Sequence, residues 1–269
     1  MSNEIVGGTV NDIRIDYING VVSKTFRMGN GMSQDTLVRR EAEKTAFRKL
    51  GFAPNLLGED TENIYMSYID GEKELDTAVR GYPLPVQQKI FRISGNFLAD
   101  IHNKEHHKVP VDYHAQHMER VYDLLERTQH RLPAHGLDPL AVCDFLQRSY
   151  NLQEIDRAGF RFVHGDYWLN NLIGQRVNGS YRLNGIIDWE LAGVNTPYED
   201  FAVVKMSIED AHQDSSKPFW KGYEIEPDRL LQVHYATVKT LDWISGEDPS
   251  DTLRTPFYQS KFDMIRENL

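Results

Sequence analysis

Two short segments of the chain carry carboxylate and amide side chains at a spacing that could support catalysis. The first reads Phe-Val-His-Gly-Asp-Tyr-Trp-Leu-Asn-Asn over residues 162–171, and the second reads Gly-Ile-Ile-Asp-Trp-Glu over residues 185–190. Transfer of a phosphoryl group from ATP to a hydroxyl needs a carboxylate that orients the hydroxyl and accepts its proton. It also needs oxygen ligands that hold Mg²⁺ on the phosphates. Asp166, Asn171 and Asp188 supply such a set.

A His-Gly-Asp triplet alone is a weak signal, because an Asp in such a triplet often only caps a turn. Here Asn171 follows Asp166 by five residues, and Asp188 follows the next predicted hairpin, whose turn is Asn178-Gly179. Protein kinases place a catalytic Asp, an Asn and a magnesium-binding Asp in this order, with the same spacing between the first two. A chance match to the whole pattern is improbable.

These segments resemble the aminoglycoside phosphotransferase and choline kinase superfamily, whose members share the protein-kinase-like fold. Four further pieces occur in the family's order. Gly-Gly-Thr-Val-Asn at residues 7–11 resembles its nucleotide loop, and Val-Val-Ser-Lys at residues 21–24 resembles its lysine strand. Arg40-Glu41 resembles the start of its ion-paired helix, and Leu-Ala-Asp-Ile-His at residues 98–102 resembles its helical Leu-His segment. The resemblance covers roughly residues 7–206 and leaves the last part of the chain poorly constrained.

The resemblance implies a role for each matching residue. Asp166 would be the catalytic base, and Asn171 and Asp188 would be the magnesium ligands. Lys24 would contact the ATP phosphates and pair with Glu41. The implied cofactors are therefore ATP and Mg²⁺.

Other residues would bind the nucleotide or support the site. Gly7 and Gly8 would lie in the nucleotide loop, and the backbone of Ser67, Tyr68 and Ile69 would form the hinge that hydrogen-bonds adenine. The neighbouring Glu43 is an alternative partner for Lys24, since one of the two acids must face outward. Glu190 is a candidate for an auxiliary role at the metal or substrate, and His102 for a structural role or one near the acceptor.

Two departures from protein kinases concern the substrate. Trp189-Glu190 stands where protein kinases have Phe-Gly after the metal-binding Asp, and no Ala-Pro-Glu follows a phosphorylatable loop. A protein substrate is therefore disfavoured. The nucleotide loop has a pair of glycines instead of three spaced ones, so its match carries weight only through its position.

The patterning predicts an α+β, protein-kinase-like fold with a small antiparallel β N-lobe and a larger helical C-lobe. Strands at residues 13–17 and 21–26 flank an Asn19-Gly20 turn, and a helix capped by Ser33 buries Val38, Ala42, Ala46 and Leu50. A strand at residues 64–69 ends the lobe. We predict a nucleotide-binding lobe over residues 1–68 and a catalytic, acceptor-binding lobe over residues 69–269.

Helices dominate the predicted second lobe. Pro85 suits a first helical turn, and apolar residues then recur at helical spacing as far as Ile101. Asp138-Pro139 predicts another helix start, and residues 230–244 a further helix. Strands are expected at residues 160–163 and 181–187.

The composition narrows the partners. There are 30 Lys and Arg against 40 Asp and Glu, a formal charge of −10 that disfavours binding to nucleic acid or an anionic membrane. Cys143 is the single cysteine, so no internal disulfide can form. The chain shows no secretion signal or membrane-spanning run, and we expect a cytoplasmic protein.

The acceptor is expected to be a small-molecule alcohol, and the acidic balance favours a cationic one. Acids fall where the family builds its acceptor pocket: Glu190, Asp200, Glu209, Asp210 and Asp214. Choline or a related amino alcohol is the first candidate and an aminoglycoside the second, with thiamine, sugars and natural-product alcohols open. Trp220, Tyr223 and Trp243 form either a box for a cation or part of the core.

A catalytically silent nucleotide-binding module on the same fold is the rival from another class. It is disfavoured because Lys24, Asp166, Asn171 and Asp188 are all intact. His114 and His117 lie three residues apart, but no carboxylate or Cys completes a convincing zinc set around them.

Overall fold

The computed structural model of the protein describes residues 3–7, 11–26, 34–71, 75–178, 180–209, 216–246 and 256–269. The N-terminal part is an antiparallel sheet in the order β1-β2-β3-β5-β4. Its strands are β1 (Asn3–Gly7), β2 (Asn11–Asp16), β3 (Val21–Phe26), β4 (Leu56–Glu59) and β5 (Asn63–Ser67). One helix, α1 (Gln34–Lys49), lies between β3 and β4 in the chain.

The predicted first hairpin is confirmed. Oδ1 of Asp16 accepts the backbone N–H groups of Ile18 and Asn19, both at 3.1 Å, and Gly20 adopts a φ of 63° that closes the turn. Strands β2 and β3 then pair from Asp16 with Val21 to Asn11 with Phe26. This register places Lys24 in the middle of the sheet.

Helix α1 is also confirmed, but it buries less of itself than predicted. Ala46 and Leu50 are buried, whereas Val38 is 62% exposed, so only the C-terminal half of the predicted apolar row packs. The buried face continues through Phe47 and Glu43, which lie one turn apart. Ser33, the predicted cap, lies outside the described residues.

The C-terminal part is mainly helical, as predicted. Its helices are α2 (Leu75–Arg80), α3 (Leu84–His102), α4 (Tyr113–Thr128), α5 (Pro139–Ser149), α6 (Leu152–Ala158), α7 (Tyr198–Val204), α8 (Ser216–Tyr223), α9 (Arg229–Gly246) and α10 (Pro256–Arg266). Its strands are β6 (His106–His107), β7 (Phe160–Val163), β8 (Leu172–Val177), β9 (Ser180–Ile186) and β10 (Gly193–Asn195). A π-helical turn, Lys205–Glu209, continues α7.

Helices α3 and α8 cross at unusually close range. A Cβ atom on Gly95 would lie 2.1 Å from the carbonyl oxygen of Phe219, and one on Gly222 would lie 2.0 Å from that of Arg92. Only glycine fits at these two positions. The crossing fixes α3, and α3 carries His102 to the candidate site.

Strand β7 of a three-stranded sheet and strand β9 of a strand pair lie shortly before the candidate catalytic residues in the chain. Strand β7 pairs with β6 and β10, and β8 pairs antiparallel with β9. The 164–171 loop follows β7, and Asp188 follows β9 by two residues. The architecture agrees with the predicted fold class, and the predicted lobe boundary at residues 68 and 69, directly after β5, stays a prediction.

Candidate active site

A buried carboxylate anchors the loop that follows β7. Oδ2 of Asp200 accepts the backbone N–H of His164 at 2.9 Å, and Oδ1 accepts that of Gly165 at 2.7 Å. Nε2 of His102 also lies 2.9 Å from Oδ2 of Asp200. Burial alone would raise the pKa of Asp200, but the hydrogen bond and charge of His102 hold it below its ordinary value. The loop therefore starts from a fixed, ionised anchor.

His164 links the segment at residues 162–171 to the segment at residues 185–190 through hydrogen bonds. Its Nδ1 accepts the backbone N–H of Asp166 at 3.2 Å, so Nε2 carries the proton and donates to the carbonyl of Ile187 at 3.0 Å. Trp189 is fully buried and packs on the His164 ring, with the ring centroids 4.4 Å apart. One imidazole thus joins the backbone of Asp166 to that of Ile187, the residue before Asp188.

Asp166 is held from both sides. Its Oδ1 accepts the indole N–H of Trp168 at 2.8 Å, and Nδ2 of Asn171 donates to its backbone carbonyl at 2.8 Å. Burial raises the pKa of Asp166, and the nearby charge of Lys239 opposes that shift. A carboxylate with a raised pKa is a better proton acceptor than an ordinary aspartate, which suits a general base.

Asn171 and Asp188 are brought together by the backbone. The carbonyl of Asn171 accepts the N–H of Ile187 at 2.9 Å, which places Asp188 one residue away. Oδ1 of Asp188 lies 3.0 Å from Nζ of Lys24, and the Asp188 side chain is 46% exposed. Among the residues that the structure describes, Oδ1 of Asn171 and Oδ2 of Asp188 accept no hydrogen bond. Two available oxygen atoms of this kind suit Mg²⁺.

Asp188 has an unusual backbone. Its φ of 65° is in the left-handed region, which few residues other than glycine adopt. Aspartate and asparagine tolerate it better than most. This conformation turns the chain sharply between β9 and Trp189, and it is a local departure that catalytic positions often show.

Lys24 is the centre of an ion cluster. Its Nζ lies 3.2 Å from Oε2 of Glu43, 3.0 Å from Oδ1 of Asp188 and 2.5 Å from Oε1 of Glu190. Burial alone would lower the pKa of Lys24, but these carboxylates raise it, so the ammonium stays charged. Burial also raises the pKa of Glu43 to about 7. With Arg39, whose Nη1 lies 3.8 Å from Oε2 of Glu190, the cluster holds three carboxylates and two cations, and the excess of carboxylates favours a bound cation.

The predicted pairing of Glu41 with Lys24 is wrong. Glu41 is 62% exposed and pairs with Lys44 at 2.7 Å, whereas the buried Glu43 reaches Lys24. The reason is helical geometry, since Glu43 lies three and seven residues before the buried Ala46 and Leu50, on the face of α1 that packs on the sheet. This periodicity could have identified Glu43, but the resemblance of Arg40-Glu41 to the family motif pointed to its neighbour.

Two of the three predicted hinge residues already use their backbone N–H groups in hydrogen bonds within the protein. The N–H of Ser67 donates to the carbonyl of Asn55 at 2.9 Å, and that of Tyr68 donates to Gly20 at 2.8 Å. In the described ranges the N–H of Ile69 has no such partner, so of the three predicted hinge residues it is the one with a backbone donor available, and the hinge stays a prediction. Gly7 ends β1, and Gly8, with the rest of the predicted nucleotide loop as far as residue 10, lies outside the described residues.

Two of the acids expected at the acceptor serve the fold instead. Asp200 is fully buried beneath the loop, and Glu209 is buried and accepts the indole N–H of Trp220 at 2.6 Å. Glu190 belongs to the Lys24 cluster. Asp210 and Asp214 lie outside the described residues. His102 has the predicted structural role, because it links Asp200 to the hydroxyl of Tyr223 at 2.7 Å.

The three C-terminal aromatic residues do not form one box. Trp220 is buried and packs edge-on against Tyr223, at 6.0 Å between the ring centroids. Trp243 lies elsewhere, 5.8 Å from the ring of Trp168. Because Trp168 donates to Asp166, Trp243 lies one side chain from the candidate base.

A cavity of about 250 Å³ opens beside the loop at Gly165. Its walls come from α4, β7, β10, α7 and α9, and they include Leu191, Trp243 and Lys239. Nζ of Lys239 donates to the carbonyl of Gly165 at 2.5 Å. No sequence motif marks Lys239, and it lies in the last part of the chain, which the family resemblance constrains poorly.

A metal site built from His, Cys, Asp and Glu side chains and a membrane-spanning helix both require features that the described residues lack. Across the described ranges, no group of three or more His, Cys, Asp or Glu side chains could hold a metal ion by themselves. His117 instead lies with Nε2 at 2.8 Å from Nε2 of His234, and His114 contacts Tyr150 at 2.9 Å. In the same part of the chain, no helix is long and apolar enough to cross a membrane.

Three known proteins are similar to this chain in part or over its whole length. Viomycin phosphotransferase of Streptomyces vinaceus is 38% identical over 45 residues, which are 17% of this chain and 16% of that protein. The match thus spans about a sixth of that relative's length. The GDP complex of aminoglycoside 2'-phosphotransferase-IIIa has a TM-score of 0.69 at 15% identity, covering 100% of this chain and 92% of that one. A choline/ethanolamine kinase family protein from Mesorhizobium loti has a TM-score of 0.62 at 15% identity, covering 99% and 93%.

At these identities the solved structures establish the fold alone, and they confirm the predicted kinase-like fold class. The family itself is established by a sequence model. The model described as a phosphotransferase enzyme family matches residues 39–232, more than half of the chain. The matched range contains Asp166, Asn171 and Asp188. The chain therefore belongs to the phosphotransferase enzyme family.

Proposed function

We propose that the protein transfers the γ-phosphoryl group of ATP to a hydroxyl of a small molecule, with magnesium as the metal. The observation that carries the proposal is that backbone hydrogen bonds bring Asp166, Asn171 and Asp188 together beside the Lys24 cluster. His164 joins Asp166 to Ile187, and Ile187, next to Asp188, donates to the carbonyl of Asn171. Lys24 lies on β3, 164 residues before Asp188 in the sequence, and still reaches it. A purely structural role explains neither the exposed Asp188 carboxylate nor its left-handed backbone.

Asp166 would act as the base. Its carboxylate accepts the proton of the acceptor hydroxyl as that oxygen bonds to the γ-phosphorus, and the bond from the γ-phosphorus to the β-phosphate oxygen breaks to release ADP. The hydrogen bonds from Trp168 and Asn171 keep the carboxylate in place during this transfer. Burial of Asp166 and the anchored loop reduce the reorganisation that the step requires.

Asn171 and Asp188 would hold the magnesium ion, which when bound neutralises charge on the phosphates. Lys24 would contact the phosphates directly, and Glu43 would keep its ammonium at the centre of the sheet. The N–H of Ile69 would bind adenine. Gly7 and Gly8 stay the proposed nucleotide loop.

The cavity beside Gly165 is the proposed acceptor site. At about 250 Å³ it is smaller than most sites for drug-sized ligands, which favours an amino alcohol such as choline over a multi-ring aminoglycoside. The aminoglycoside alternative is supported by the likeness to aminoglycoside 2'-phosphotransferase-IIIa and by the match to viomycin phosphotransferase, and the amino alcohol by the likeness to the choline/ethanolamine kinase family protein. A catalytically silent module remains the alternative from another class, and the complete set of Lys24, Asp166, Asn171 and Asp188 opposes it.

The decisive experiment measures ADP release with Mg·ATP and a panel of choline, ethanolamine, thiamine, kanamycin and a generic protein. Melting temperatures with ATP, with and without magnesium, are measured in parallel, because a ligand that binds only the folded state stabilises it. A shift with Mg·ATP and ADP release with a small alcohol support the proposal. No shift in any condition, together with no ADP release, would refute it.

A further inference from the structure

The acceptor cavity carries a balanced set of charges. Its charged lining residues are Arg120, Lys239, Glu199 and Asp242, two cations and two anions. Arg120 and Asp242 lie 2.9 Å apart, and each side chain is about half exposed, 48% and 47%. This pair largely neutralises itself at the solvent side. The other two charged residues are Lys239, whose charge also acts on the neighbouring Asp166, and Glu199.

Lys239 presents donors to the cavity. Its ammonium has three N–H groups, and one donates to the carbonyl of Gly165. In the part of the chain that the structure describes, the ammonium has no other hydrogen-bond acceptor. Two donors are therefore available, directly beside the catalytic loop and on a half-buried side chain. An anionic group of the acceptor would satisfy them.

Glu199 presents the opposite charge. It lies in the first turn of α7 and is partly buried, and its carboxylate accepts no hydrogen bond from the described residues. Its charge reaches the cavity wall: burial, and then Glu199, raise the pKa of Tyr113, which is hydrogen-bonded to the cavity-lining Tyr235 at 2.7 Å. An ammonium group of the acceptor would compensate this carboxylate.

We propose that the acceptor is a small hydroxylated zwitterion whose anionic group binds Lys239 and whose ammonium binds Glu199. This assignment rests on the proposed function, and it extends the amino alcohol to one that also carries a carboxylate. A monocation such as choline leaves the two available N–H donors of Lys239 without an acceptor, and a polycation places like charges together beside it. Both arrangements are costly in a partly buried site.

The test uses the full chain with Mg·ADP and acceptors of matched size. Binding of homoserine and carnitine, both hydroxylated zwitterions, is compared with that of choline and glycerate by isothermal titration calorimetry, and ADP release is then measured with Mg·ATP. We expect at least one zwitterion to bind about tenfold or more tightly than choline and glycerate, because each charged hydrogen bond is lost with the wrong ligand.

Charge reversal identifies the residue responsible. Lys239→Glu should weaken the zwitterion at least about tenfold and bring choline binding level with it or above it. Lys221→Glu is the control, because it makes the same change of charge on an exposed residue of α8 outside this cavity. The control should keep the preference of the original protein.

The zwitterion assignment and the phosphotransferase function are refuted by different results. Choline that binds as tightly as both zwitterions, or the absence of binding by both zwitterions, overturns the zwitterion assignment. An unchanged preference in Lys239→Glu overturns it as well. The phosphotransferase function fails only if Mg·ATP does not bind and no acceptor yields ADP.

Discussion

Nζ of Lys24 lies 3.2 Å from Oε2 of Glu43, which joins the middle of β3 to the buried face of α1. This pair holds the ammonium where the phosphates of ATP are expected. We predict that Glu43→Gln raises the KM for ATP about tenfold, because the amide no longer fixes the ammonium by charge. Glu41→Gln is the matched control two residues away and should leave the KM for ATP unchanged. Equal effects of the two variants would contradict the pairing.

Helix α1 shows which features of the structure can be predicted from the sequence. Apolar periodicity and caps predict helix and strand positions, because burial of one face is a local pattern. The choice between Glu41 and Glu43 needed the same periodicity, yet a motif resemblance outweighed it. The Lys24–Glu43 pair shows that here the buried face of the helix identified the partner of Lys24 better than the Arg40-Glu41 motif did.

The acceptor side could not be predicted in the same way. Asp200 reaches the N–H groups of Gly165 and His164 across 35 and 36 residues of sequence, and Lys239 reaches Gly165 across 74. Such contacts depend on how α7 and α9 are placed beside the loop after β7, which no local sequence pattern specifies. Composition suggested an acidic pocket, whereas the structure uses Asp200 and Glu209 as internal hydrogen-bond acceptors.

The second prediction concerns the candidate base. Asp166→Asn keeps the shape of the side chain but cannot accept the acceptor's proton, so turnover should fall by about 10²- to 10⁴-fold. The fold and ATP binding should be retained. Steady-state kinetics, circular dichroism and ATP calorimetry on the same preparation check both parts. Turnover close to that of the original protein would refute Asp166 as the base.

The third prediction applies the same substitution to a different aspartate. Asp200→Asn removes a charge that accepts three hydrogen bonds and directs an amide N–H₂ group at one of the donors. We expect it to destabilise the protein by about 3 kcal/mol, since an unsatisfied buried group is left behind. Urea unfolding of Asp200→Asn and Asp166→Asn is the comparison. Similar stabilities would show that the anchor is not needed for folding.

The fourth prediction separates charge from backbone at Asp188. Asp188→Asn and Asp188→Ala both lose a charged oxygen ligand, so both should need more magnesium for half-maximal activity. Alanine also fits poorly at a φ of 65°, which should cost about 1 to 2 kcal/mol of stability, whereas asparagine tolerates that conformation. A magnesium titration and urea unfolding measure the two effects. A magnesium requirement that is unchanged in both variants would remove Asp188 from the metal site.

The last prediction concerns the buried histidine pair between α4 and α9. Nε2 of His117 lies 2.8 Å from Nε2 of His234, whose Nδ1 contacts the hydroxyl of Ser149 at 3.0 Å. Burial lowers the pKa of His117 to about 4 and that of His234 to about 3, and neighbouring positive charge, including that of Arg120, adds to these shifts. No carboxylate lies within hydrogen-bond reach of either ring in the described part of the chain, so neither imidazolium is compensated.

The sign of the pH effect follows from these values. Between the unfolded pKa of about 6.5 and the folded values, the unfolded chain binds more protons, so stability falls as the pH is lowered. At pH 5 the loss relative to pH 7.5 should be about 2 kcal/mol or more from this pair. In a double variant, His117→Gln with His234→Gln, the fall in the free energy of unfolding from pH 7.5 to pH 5 should be smaller by at least this amount, because glutamine does not titrate. His130→Gln, at an exposed position, is the control and should follow the original protein. Urea unfolding at both pH values measures the difference, and parallel pH dependence in the double variant would show that the pair does not control acid stability.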